Sequence, residues 1–298
     1  AGGARDLSNI ANSAAKQPSV PGVLFQHLAS IAQSLAAQEV YFGGQATGNI
    51  LNAFARVGYA DRALYDCMEG VCMRTKPGDY DTQGISTVLN AYARQAVGGH
   101  YPRGELLDRM GEAILLRGYR EWTAQSIGIT VNALARLKCA DRRVYSHLAL
   151  SAYELPVDKL DVQAICNIVN AYSKPIVRQS AEDTDEVDSL FNRLLRSVLA
   201  LPPSDFSAQG VALIAKSRLG TQVLGGREAL LQRLSSIAQG FPPSDYSVQS
   251  VAIIVAGFAD AGPRDKHATD LLSFFADVVL SMPPRELSSP RAIAHILA

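Results

Sequence analysis

Asparagine recurs seven residues after a fixed anchor in five segments of this chain, at Asn12, Asn52, Asn90, Asn132 and Asn170. The anchor is Arg5 in the first segment and Gln45, Gln83, Gln125 and Gln163 in the others. Four residues after the anchor stand Asn9, Asn49, Thr87, Ile129 and Asn167. Four residues after the recurring Asn stands a cation in all five segments: Lys16, Arg56, Arg94, Arg136 and Lys174. With the anchor as position 1 these are positions 1, 5, 8 and 12, which at about 100° per residue share one face of an α-helix. A carboxamide both donates and accepts hydrogen bonds, and a cation meets anionic oxygens. Such a stripe suits base edges, ribose hydroxyls and phosphates. Two other readings of the same residues stay open: a docking surface for protein, and an internal ladder in which each Asn bonds the backbone of its neighbour. A ladder accounts for the Asn column but not readily for the cation that follows it five times.

Other chemistries lack their residues. The five histidines, His27, His100, His147, His267 and His295, stand apart, with no metal-ligand spacing and no recurring carboxylate or Cys partner. Cys67, Cys72, Cys139 and Cys166 form neither a zinc spacing nor a disulfide framework, and Cys166 reads as a buried free thiol. No phosphate-cradling Gly-rich loop and no Gly-x-Ser-x-Gly elbow is present. The expectation is a non-catalytic protein with no metal, no cofactor and no small-molecule substrate.

The elements that must position the stripe are legible as repeats. The anchor recurs at Gln209, Gln249 and Arg291, giving intervals of 40, 38, 42, 38, 46, 40 and 42 residues. A period in this range signals stacked helix pairs. Two residues before the anchor stand Asp81, Thr123, Asp161, Ser207, Ser247 and Ser289, side chains that accept an orphan N–H at a helix start; the first two copies have Gly3 and Gly43 instead. The preceding Phe42, Tyr80, Trp122, Leu160, Phe206 and Tyr246 pair with Thr47, Ile85, Ile127, Ile165, Val211 and Val251 in a hydrophobic staple. Trp122 is therefore expected against Ile127, not outside as a base-stacking platform. Positions 3, 6, 7 and 10 are apolar, and positions 2, 4, 9 and 11 are small, where neighbouring backbones could approach.

Each first helix is followed by a second, beginning with 24–36 after a first helix at 5–16. Three second helices stop at Pro202–Pro203, Pro242–Pro243 and Pro283–Pro284, because proline cannot continue a helix. Gly220, Gly225 and Gly226 mark a turn. Residues 95–104 and the acidic 175–187 read as long loops, the second kept away from RNA by its charge. The fold class expected is all-α: a right-handed α-solenoid of about seven stacked antiparallel helix pairs, as a single domain over 1–298.

Composition agrees with such an array. The 298 residues are 48% hydrophobic, enough for a continuous core, and 28 basic residues balance 28 acidic ones. Nothing global marks a nucleic-acid binder. No apolar run approaches the ~18 residues of a membrane span. The opening AGGARD and the closing RAIAHILA, which stops partway along a first helix, lead us to expect a longer natural chain, with a targeting segment removed or left out.

The segments QATGNILNAFARVG from Gln45, QGISTVLNAYARQ from Gln83, QSIGITVNALARL from Gln125 and QAICNIVNAYSK from Gln163 resemble the octotricopeptide and heptatricopeptide repeat proteins. That resemblance implies arrays of helix pairs from mitochondria or plastids that act on organellar transcripts or ribosomal RNA, many ending in a RAP domain. No RAP domain is visible here, and Asn52, Asn90, Asn132 and Asn170 stand where an aromatic is common in the octotricopeptide pattern. The copies at Gln209 and Gln249 lose the pattern, with Lys216 and Gly220, then Ala256 and Asp260. The function expected from the resemblance is an RNA-contacting, scaffolding component of a mitochondrial ribonucleoprotein, the mitochondrial ribosome or its assembly machinery, with RNA and other proteins of that complex as partners. A plastid is the second choice of compartment. The alternative is a protein scaffold without RNA.

Overall fold

In the computed structural model, residues 2–19, 21–181, 185–217, 219–221, 224–259 and 266–283 are described. Among them are fifteen α-helices and no strand. They are α1 Gly2–Ala14, α2 Gly22–Ala37, α3 Gly43–Arg56, α4 Arg62–Arg74, α5 Thr82–Ala96, α6 Gly104–Leu115, α7 Ala124–Arg136, α8 Arg142–Tyr153, α9 Val162–Tyr172, α10 Pro175–Ala181, α11 Asp185–Ala200, α12 Ala208–Lys216, α13 Gly226–Ala238, α14 Val248–Ala259 and α15 Lys266–Ser281. With α10 set aside these make seven pairs. Short 3₁₀ turns at Pro77–Asp79, Tyr119–Glu121, Val157–Lys159, Pro203–Asp205 and Pro243–Asp245 lead from one pair to the next first helix.

The chain divides into two compact units, Ala1–Leu155 with Lys174–Asp183, and Pro156–Ser173 with Thr184–Ala298. In the first unit α1, α3, α5 and α7 pack in succession, as do α2, α4, α6 and α8. In the second, α9, α12 and α14 form one such layer and α11, α13 and α15 the other. Each unit is thus a stack of helix pairs whose apolar stripes close on one another.

The local signals act as their chemistry requires. Asp81 accepts from the Gly84 N–H at 2.6 Å, Thr123 from Ser126 at 3.1 Å, Asp161 from Ala164 at 2.7 Å, Ser207 from Gly210 at 3.1 Å and Ser247 from Ser250 at 3.1 Å. Ser289 and the copy at Arg291 lie outside the described residues. In the second copy α3 instead begins at Gly43, with φ 73°. A Cβ on the next residue, Gly44, would meet the Asp79 carbonyl at 2.7 Å, so only glycine lets the following turn seat there. All six staple aromatic or leucine side chains are buried, Trp122 at 2% exposure, and so are their six partners.

The small columns are close approaches. A Cβ on Gly48 of α3 would lie 3.3 Å from the Gly84 carbonyl of α5. Cys166 of α9, in the same column, places its Sγ 3.7 Å from the Gly210 carbonyl of α12. Among the described residues all four cysteines are free thiols. At Gly257 of α14 a Cβ would come within 2.6 Å of the Ala215 backbone of α12. The turn that follows α12 is tied by Arg227, whose guanidinium donates to the carbonyls of Ala215 (2.6 Å), Ser217 (2.9 Å) and Gly257 (3.0 Å).

Three sequence expectations need correction. Within the expected loop 175–187, residues 175–181 are helical: Pro175 opens α10, and α11 begins at Asp185. Proline suits the first turn of a helix, and α10 packs on α7 and α8 with Val177 fully buried. Tertiary burial therefore overrides the charge-rich composition. The 95–104 linker is shorter than read, because α5 runs on to Ala96. The first two helices likewise start two to three residues early, at Gly2 and Gly22. The Pro-Pro stops behave as expected, α11 ending at Ala200 and α13 at Ala238; α15 ends at Ser281, ahead of Pro283.

Candidate nucleic-acid interface

In the first unit the stripe faces outward on α1, α3, α5 and α7. The anchors Gln45, Gln83 and Gln125 are exposed; Asn12, Asn49, Asn52, Thr87, Asn90 and Asn132 are half-buried; Lys16, Arg56, Arg94 and Arg136 are exposed. Half-burial of an amide between stacked helices fixes its place while leaving an edge open. The cations stand at the C-terminal ends of their helices, where the helix dipole favours positive charge.

Three helices converge on an open cleft of about 530 Å³. Of the expected site residues it gathers Asn52 of α3, Gln83, Thr87 and Asn90 of α5, and Gln125 of α7. Ile129, at position 5 of the fourth copy, gives it one apolar wall. Gln45, Asn49 and Asn132 are on the same face but do not line it, and neither do the cations. The cleft also takes in Asp81 and Thr123, which sequence reading assigned to capping, Ser86 and Ser126, which fall in the small columns, and Thr82, to which it gave no role. The signal was available: a cap two residues before the anchor lies at the same helix end as the anchor's side chain. Thr82 closes one wall by donating to the Glu121 carbonyl at 3.3 Å.

The hydrogen bonds of the stripe stay within single helices. Asn132 Nδ2 donates to the Gly128 carbonyl at 2.9 Å, and Thr87 Oγ1 to the Gln83 carbonyl at 2.6 Å. The side chains of Asn52 and Asn90 have no protein hydrogen-bond partner among the described residues. No carboxylate pairs with Lys16, Arg56, Arg94 or Arg136 there, whereas nearby Arg62 and Arg143 are held by Asp66 at 3.6 Å and Asp141 at 2.8 Å. Arg143 holds the Asp141 carboxyl below the usual carboxylate range. Beside Arg136, Lys138 lies over the half-exposed Tyr101 ring, Nζ to centroid 5.2 Å.

The fifth copy is divided. Gln163, Asn167 and Asn170 belong to the second unit and Lys174 to the first. Gln163 Nε2 donates to Asn167 Oδ1 at 3.0 Å along α9, and Asn170 is exposed. Among the described residues no three His, Cys, Asp or Glu side chains come together to hold a metal ion, and no helix is long and apolar enough to cross a membrane. No protein-family model matches the chain, and no curated protein matches it.

Proposed function

We propose that this protein is a non-catalytic helical-repeat module that holds single-stranded RNA along α3, α5 and α7. The observation that carries the reading is the unspent polarity of the stripe: Asn52 and Asn90 have no protein partner, and Arg56, Arg94 and Arg136 stand without a carboxylate among the described residues. A structural ladder would satisfy these amides across neighbouring helices. Amides lining a polar cleft, with exposed cations further along the same helices, match the two halves of a nucleotide, base edge and phosphate.

The setting we propose is a mitochondrial ribonucleoprotein, the mitochondrial ribosome or its assembly machinery, with other proteins of the same complex as neighbours. It is supported by the likeness of the four quoted segments to octotricopeptide and heptatricopeptide repeats. The test is ultraviolet crosslinking of the whole chain to a photoreactive, unstructured RNA, with peptides mapped. Crosslinks concentrated on α3, α5 and α7 are expected. Crosslinks absent from those helices, or no RNA retained at all, would leave the chain as a protein scaffold.

A further inference from the structure

Asp81 is the one acidic side chain among those lining the cleft. Its Oδ1 caps α5 through the Gly84 N–H, and its exposed carboxylate has no cation partner among the described residues. A carboxylate accepts hydrogen bonds and donates none, and it repels phosphate. The phosphodiester backbone therefore belongs at the other end of the same helices, near Arg56, Arg94 and Arg136. A strand whose phosphates keep to the arginine end would offer its bases, not its phosphates, to Asp81.

We infer, on the basis of the RNA reading above, that this cleft prefers guanine. The guanine Watson–Crick edge places two donors side by side, N1–H and the N2 amino group, and a carboxylate can accept both. Uracil sets carbonyl acceptors on either side of its single donor, so the same carboxylate repels it. Cytosine and adenine offer one amino group each and fall between. The amides of Gln83 and Asn90 line the same cleft and can serve the remaining acceptors of guanine, O6 and N7.

The test uses the full chain and four otherwise identical uridine-rich RNA 11-mers with G, A, C or U at the centre, titrated by fluorescence anisotropy at low salt. Tightest binding of the G oligonucleotide is expected, about tenfold over U, within the range of one bidentate base contact. Asp81→Asn and Asp81→Ser both keep an N-cap oxygen for Gly84. Both should bring the G-to-U ratio near one while helicity and melting temperature stay close to those of the parent. Equal binding of all four oligonucleotides, or a G preference that survives both substitutions, would overturn the guanine assignment and leave the RNA reading standing. Binding of none of the four would overturn the RNA reading itself.

Discussion

Asn132 donates its side-chain amide to the Gly128 carbonyl one turn back in its own helix, at 2.9 Å. The amide column thus does not stitch one repeat to the next, and at Asn52 and Asn90 it makes no protein hydrogen bond among the described residues. Removing those amides should leave the fold alone. Asn52→Ala and Asn90→Ala are expected to keep unfolding free energy within about 0.5 kcal/mol of the parent, the better helix propensity of Ala adding a few tenths in their favour. Urea unfolding followed by circular dichroism checks this. A loss beyond about 1 kcal/mol would mean that the column is structural.

Gly257 should tolerate nothing larger. Its missing side chain lets α14 approach the Ala215 backbone of α12, where a Cβ would lie at 2.6 Å. Gly257→Ala is expected to destabilise the second unit by about 1–3 kcal/mol despite the helix propensity of Ala. Faster amide exchange in α12 and α14 would report it, and unchanged exchange there would contradict the close packing.

Arg227 holds four carbonyls of two helices and the turn after α12, those of Ala215, Ser217, Leu219 and Gly257, with one planar fork. Lysine cannot reproduce that geometry. Arg227→Lys should therefore lose nearly as much stability as Arg227→Ala, about 2–3 kcal/mol, the scale of hydrogen bonds to a charged group. Equal stability of Arg227→Lys and the parent would show that charge alone is enough.

His147 gives the fold an acid-sensitive point. Burial lowers its pKa from the usual 6.5, partly offset by a hydrogen bond with the Arg117 backbone. Its ring packs at 4.8 Å from that of Tyr119. Because the folded pKa is depressed, the unfolded chain takes up the proton first as pH falls. Stability from neutral His147 is present above about pH 6.5 and declines below it, until the folded protein also protonates. The melting temperature should drop between about pH 7 and pH 5, and less steeply in His147→Gln. Parallel pH profiles for the two proteins would exclude His147 as the cause.

The features legible in the sequence were those fixed within one turn of chain. Asp81, Thr123 and Asp161 cap because an oxygen two residues before the anchor meets an N–H three residues on. Trp122 and Leu160 are buried because a staple needs only its own helix. The small columns at Gly48 and Gly257 were legible for the same periodic reason. Helix α10 was not, since its acidic neighbourhood suggests solvent and only the burial of Val177 against α7 and α8 makes it a helix. The division at Leu155 was hidden because the repeat period continues across it. At the cleft, the amides Asn52, Gln83 and Asn90 stand out from their spacing alone. Asp81 could not be given a second role, because that role depends on how α3, α5 and α7 are set side by side.

Arg56, Arg94 and Arg136 are the residues proposed to meet RNA phosphates. The most direct test is the salt dependence of single-stranded RNA affinity for the parent and for Arg56→Ala/Arg94→Ala/Arg136→Ala. Each phosphate left without its arginine should reduce the slope of log affinity against log salt by about 0.7 for a single strand. The triple variant should therefore show a slope shallower by about two and weaker binding at low salt, with a melting temperature close to the parent's. An unchanged slope and affinity, or a variant that unfolds earlier while binding RNA as before, would contradict the account and make the stripe scaffolding.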